Sequence, residues 1–148
     1  PISERPDLLA VEADGSRGCR VKAPGAHEPP VPQLSTHVVA VIGSDALDRV
    51  IEDVAHRPML VAAVCGCGPY SRLTVERAAR LLCDRERGGK KCVPASARFS
   101  VAITRIGPRQ TALATQLVEE LSCRNVHSVM LPWSPGDPES PGAQGVTR

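Results

Sequence analysis

Five consecutive apolar residues, Val38-Val39-Ala40-Val41-Ile42, constrain this chain more than any other stretch of it. A strand with one wet face alternates apolar and polar side chains. An unbroken apolar run is instead what a strand covered on both faces requires, as in a parallel sheet. The run extends from His37 to Gly43, and three others read as its neighbours: Leu8 to Glu12, Phe99 to Ile106, and Val126 to Leu131. None alternates cleanly, so a parallel sheet buried on both faces is the expectation.

Helical periodicity fills the gaps between the later runs. Thr74 suits an N-cap, Glu76 suits the positive end of the helix dipole, and Val75, Ala78, Ala79 and Leu82 form one apolar face. A second helix opens near Pro108, carries Leu113, Ala114, Leu117, Val118 and Leu121 on a wide stripe, and stops at Asn125. A shorter one runs from Pro58 through Met59 to Val64. Strands alternating with helices predict an α/β layered fold over residues 1–131. Residues 132–148 are rich in Pro, Gly and Ser and are expected to form a flexible tail. Asp14 to Pro32 shows neither period, and Pro24, Pro29, Pro30 and Pro32 would break one. A connection that long inside a domain is either functional or disordered.

Composition narrows the function classes. Tyr70, Phe99 and Trp133 are the only aromatic residues, too few for a protein that stacks nucleobases. A net charge of +2 does not predict binding to nucleic acid or to an anionic membrane. No apolar stretch nears the roughly 20 residues that span a bilayer. The opening PISERPDLL lacks the basic-then-apolar layout of a secretory signal, so a cytoplasmic location with six free thiols is expected. Because Pro1 is not an initiator methionine, further sequence is expected upstream.

Val11-Glu12-Ala13-Asp14-Gly15-Ser16 is the first candidate for chemistry. It sets Glu12 and Asp14 at the carboxyl end of an expected strand, where open α/β sheets bind ligands and where acidic side chains can hold Mg²⁺ through water. Asp-Gly is equally an ordinary turn signal. Arg17, Arg20 and Lys22, then His27 and Glu28, could face phosphates if this loop folds over the strand ends, or could be ordinary solvated charges. His56-Arg57-Pro58 stands at a helix start, where backbone N–H groups favour anions. Cys65-Gly66-Cys67 has Cys-x-Cys spacing, which differs from the zinc-type Cys-x-x-Cys, so buried apolar thiols are expected over a metal cluster. A Walker-type Gly-x4-Gly-Lys-Ser/Thr loop is missing: Gly88-Gly89-Lys90-Lys91-Cys92 has the wrong spacing, follows a helix and reads as a basic linker.

Taken in order, these blocks resemble the YqeC-type family. They are Val11 to Ser16, Lys22-Ala23-Pro24, His27-Glu28-Pro29 with Pro32, Val41-Ile42-Gly43 with Asp45-Ala46-Leu47, and His56-Arg57-Pro58. Beyond residue 70 the likeness is one of kind only. The resemblance implies a partial phosphate-loop-NTPase-like three-layer sandwich with a mainly parallel sheet. It implies an accessory protein that matures selenium-dependent molybdenum hydroxylases and binds Mg²⁺ with ATP or GTP in its complete form. Its partners would be that hydroxylase or its cofactor-maturation proteins. It also implies Glu12 and Asp14 as the catalytic, metal-side pair, with Ser16, Arg17, Lys22, His27, Glu28, His56 and Arg57 lining a shared ligand site. The family's Gly-rich loop would lie upstream of Pro1, so this chain alone is not expected to hydrolyse a nucleotide. Thr104-Arg105-Ile106-Gly107 replaces an Asn-Lys-x-Asp-like stretch, and Gly107 has no carboxylate to accept bonds from a guanine edge. A partner- or cofactor-binding domain without turnover, or a cysteine-based metal or selenium carrier, are the alternative functions.

Overall fold

A computed structural model describes residues 8–132. In chain order its elements are β1 (Val21–Lys22), β2 (His37–Gly43), a 3-10 turn (Ser44–Ala46), α1 (Ile51–Val54), β3 (Ala55–His56), α2 (Pro58–Cys65), α3 (Val75–Cys83), β4 (Arg98–Ile106), α4 (Thr111–Cys123) and β5 (His127–Pro132). The expected tail began at Pro132, which instead ends β5; residues 133–148 lie outside the described residues.

All the strand pairs are parallel, and the fold is α/β. Strand β4 is central to a three-stranded sheet in the order β2-β4-β5, while β1 and β3 form a separate two-stranded ladder. Register aligns Ile42 with Ile103 and Met130, and Ala40 with Val101 and Ser128. This row faces the core, where Leu117 and Leu121 of α4 and Leu81 and Leu82 of α3 are buried.

The other face differs from the sequence expectation. Val39, Val41, Val129 and Leu131 are exposed, Val41 by 63%. Val41, Ala102 and Val129 lie in register across this face. Helices cover one face of the sheet among the described residues, so the unbroken apolar run of β2 is buried on one side only.

The helix ends follow local chemistry. The Thr74 hydroxyl accepts from the Arg77 N–H at 3.4 Å and caps α3. Helix α2 begins at Pro58 and ends at Gly66, whose φ of +69° suits a residue without a Cβ. Helix α4 starts three residues later than expected, because residues 108–110 form a turn ahead of it. Asn125, at φ +55°, ends the turn after α4, and Val126 N–H returns to the Leu121 carbonyl at 2.9 Å.

Two expectations are overturned. Leu8 to Glu12 forms no strand: Leu8 is 85% exposed, Leu9 and Val11 are also exposed, and no strand among the described residues pairs with the run. A strand's backbone groups need a neighbour, and apolar composition alone does not supply one. Conversely, the segment from Asp14 to Pro32 is not structureless. Val21 and Ala23 are buried, and β1 pairs with β3 in the register Val21↔Ala55 and Lys22↔His56. The Arg20 carbonyl accepts from Gly43 N–H at 2.9 Å, so this segment does fold over the carboxyl end of β2.

Gly88 and Gly89 are packing residues rather than a free linker. A Cβ on Gly88 would sit 2.0 Å from the Leu81 carbonyl oxygen, and one on Gly89 would sit 2.6 Å from that of Leu82. The chain closes against the end of α3 only because both positions lack a side chain. Gly88→Ala is therefore expected to destabilise the fold by about 2 kcal/mol or more, since backbone must move. Chemical denaturation checks this; a wild-type midpoint would mean that the segment does not pack there.

Candidate functional site

The ladder of β1 and β3 determines which polar residues meet. Val21 and Ala55 face the core as partners, so Lys22 and His56, the next pair, lie side by side at the carboxyl end of the ladder. The Lys22 ammonium donates to the Asp14 carboxylate, to the Gly15 carbonyl at 2.9 Å, and contacts the Glu28 carboxylate at 2.7 Å. Three acceptors match the three donors of an ammonium. Glu28 in turn receives a two-pronged bond from Arg57, at 2.5 Å and 2.9 Å, and a third from the Gly25 N–H at 3.2 Å.

This network accounts for the ionisation of its members. Arg57 above all, then Lys22 and the Gly25 N–H, hold the Glu28 carboxyl well below the usual carboxylate range. The same pairing with Glu28 raises Arg57 above its ordinary value. Arg57 has a left-handed φ of +63° immediately before Pro58, an unfavourable backbone state for a residue with a Cβ. Gly25 passes beneath the guanidinium, where an added Cβ would lie 3.3 Å from its carbon.

His56 adds the polar group without a mate. Its Nδ1 is shielded from solvent and has no hydrogen-bond partner among the described residues. Burial first, and then the positive charges of Arg57, Lys22 and Arg17, lower its pKa below the ordinary 6.5.

The sequence candidates thus divide. Asp14, Lys22, Glu28, His56 and Arg57 assemble from positions spread along the chain. Glu12 is exposed and bends toward Gly15, with one carboxylate oxygen 3.9 Å from where a Cβ on that glycine would lie. Ser16 is used locally, its hydroxyl donating to the Cys19 carbonyl at 2.8 Å. Arg17 stands in a tight turn with Gly18, both at positive φ, and lines a different cavity. His27 is exposed, with no hydrogen bond or ion pair among the described residues.

A second charged centre was not read from the sequence. At the carboxyl end of β2, Asp45 takes Arg20 at 2.8 Å and Arg105 at 3.3 Å on one carboxylate oxygen. Gly43 permits this, because a Cβ there would be 2.6 Å from the other oxygen of Asp45. Its signal in the sequence was Asp45 just after the β2 run and Arg105 near the end of the β4 run. Among the described residues, no group of three or more His, Cys, Asp or Glu side chains is placed to hold a metal ion. All six cysteines are free. Burial, with Cys67 nearby, pushes the Cys65 thiol up to about 11, and burial raises Cys83 as well.

A layered α/β protein with parallel strands and an ionic cluster at strand carboxyl ends is the class these features define. The YqeC protein family matches residues 1–59. The chain is also 33% identical over 134 residues to the "Uncharacterized protein YqeC" of Escherichia coli (strain K12), a match covering 88% of this chain and 52% of that protein. On both comparisons the chain is similar to the YqeC family. It spans about half the length of the curated relative it matches. No solved structure matches it. No helix among the described residues is long and apolar enough to cross a membrane.

Two measurements follow from the ionisation states. Because His56 binds its proton more weakly folded than unfolded, its contribution to stability is full above about pH 6.5 and is lost as pH falls toward the folded value. The thermal midpoint should therefore drop between about pH 7.5 and 5.5, and His56→Gln should flatten that drop; an unchanged slope would show that His56 titrates freely. In thiol alkylation at neutral pH, exposed Cys92 and Cys123 should react well before buried Cys65. Early modification of Cys65 in the folded protein would contradict its burial.

Proposed function

We propose that this chain is part of a nucleotide-binding accessory protein that serves the maturation of selenium-dependent molybdenum hydroxylases. The accessory role, the cytoplasmic location and the partners (the hydroxylase or its cofactor-maturation proteins) come from the resemblance to the family. The single observation that supports a nucleotide site is the convergence of Asp14, the Gly15 carbonyl and Glu28 on the Lys22 ammonium. Three oxygens meeting at one cationic point suit a hard divalent ion, which takes carboxylate and carbonyl ligands. In this reading Asp14 and Glu28 would hold Mg²⁺, with Glu12 reaching it through water. The ion, when bound, supplies charge neutralisation on the phosphates of ATP or GTP.

The residues of the chain do the rest. Lys22 and Arg57 exchange carboxylate partners for phosphate oxygens, the exchange for which a planar guanidinium fork and a mobile ammonium are suited. His56 remains neutral and offers Nδ1 as a hydrogen-bonding atom inside the site. A three-layer sandwich of the phosphate-loop type gives the exposed apolar residues a purpose. Val39, Val41, Val129 and Leu131 would be covered by a further layer, and Leu8 to Val11 would find a neighbouring strand. The greater length of the curated relative is consistent with polypeptide able to supply both. The exposed sheet face equally favours a second reading, a domain that binds a partner or cofactor there without turnover.

Hydrolysis assays separate these readings. In a polypeptide of the relative's full length carrying this sequence, Asp14→Ala should lower Mg²⁺-dependent release of phosphate from ATP or GTP about a hundredfold, with the fold intact by circular dichroism. A wild-type rate would reduce Asp14 to a turn residue; no hydrolysis by the parent protein would favour the second reading.

A further inference from the structure

A concavity that shares no lining residue with the Lys22 network lies beyond the carboxyl ends of β2 and β4 and holds about 640 Å³. Five arginines line it: Arg17, Arg20, Arg49, Arg72 and Arg109. Two of these are committed within the protein, Arg20 to Asp45 and Arg72 to Asp48. The side chains of Arg17, Arg49 and Arg109 have no hydrogen bond or ion pair among the described residues, while one lining carboxylate, Asp53, is likewise unpaired. Three unmatched guanidinium groups around one cavity repel each other, and an anionic ligand relieves that repulsion.

We infer that this cavity is a second, separate site, which binds a small phosphate ester without a metal ion. Its volume falls within the range of small-molecule pockets, about 300–1,000 Å³. Leu47, Val54 and Leu113 provide an apolar wall for the uncharged body of the ligand. Arg109, Gln110 and Leu113, which flank the start of the 13-residue α4, are all part of the cavity's lining. A nucleic acid is a poorer fit, because the charges line a concavity on a chain whose net charge is only +2. The inference is independent of the proposed nucleotide chemistry at Asp14.

Calorimetry on this chain tests it, with inorganic pyrophosphate, adenosine 5′-monophosphate and guanosine 5′-monophosphate as probes in EDTA at low ionic strength. Saturable submillimolar binding of at least one probe is expected. The double variant Arg49→Ala/Arg109→Ala should weaken it at least about tenfold, whereas Arg85→Ala/Arg87→Ala, which removes two exposed arginines elsewhere, should leave it unchanged. Tighter binding of a monophosphate than of pyrophosphate supports the site and assigns it an ester with a body; the reverse order supports it as a site for inorganic phosphate groups. Three results would overturn the inference: no saturation by any probe, equal loss in both double variants, or loss in Lys22→Ala with none in Arg49→Ala/Arg109→Ala. A protein inactive toward ATP and GTP at Asp14 would leave the expected binding here intact, so the two readings fail separately.

Discussion

Parallel pairing along β4 is the constraint from which the rest of the molecule follows. Because β2, β4 and β5 run in the same direction, each must be followed by a return path, and the carboxyl ends of the strands gather on one side. Gly43, Thr104 and their successors therefore meet in space although about sixty residues separate them, and the Ser44 hydroxyl donates to the Arg105 carbonyl at 2.9 Å. The segment from Arg20 to Lys22 is tied to the same side through Gly43. The residues of the Asp45 centre are brought to that rim by these bonds. The rim's chemistry thus depends on a core made almost wholly of aliphatic side chains.

Which features were legible in the sequence depended on how many residues carried each signal. Strand β2 was readable residue for residue, and β4 and β5 to within one position at either end, because several apolar and β-branched residues reinforce each other in each run. Thr74 and the Leu113–Leu121 stripe were legible for the same reason: caps and 3.6-residue periodicity are local and redundant. Strands β1 and β3 have two residues each and carry no period. Only tertiary pairing makes them strands. Leu8 to Glu12 fails in the opposite sense, since its composition satisfies a strand while no neighbour among the described residues completes it. Asp14, Lys22, Glu28, His56 and Arg57 were nameable from motif order, but their mutual contacts were not, because these depend on the two-residue ladder. The Asp45 centre went unread because isolated charged residues near strand ends look the same as solvated charge.

The two charged centres differ in one physical respect, how far their charges are satisfied from within. Around Lys22 every donor of the ammonium has an acceptor, and Glu28 is bonded on both oxygens. Such a network is self-sufficient and rigid, and a ligand entering it must compete with existing bonds. Around the cavity, by contrast, carboxylates satisfy only part of the guanidinium charge. A matched network holds its geometry in the absence of ligand, whereas an unmatched one gains from acquiring a counter-charge.

His56 links these observations. It lies beside a saturated network, yet its own Nδ1 has no mate among the described residues, and the surrounding cations oppose its protonation. Leaving a shielded imidazole nitrogen without a hydrogen bond costs stability, about 1–3 kcal/mol for a polar group of this kind. The parallel register with Lys22 offers no alternative placement, because shifting β3 by one residue would expose Ala55 and bury the imidazole. The same pairing that brings Lys22 to the rim therefore forces the unsatisfied nitrogen into place beside it. Register, rather than any property of histidine, determines that the strand end beside the Lys22 network includes one atom still able to accept or donate a bond.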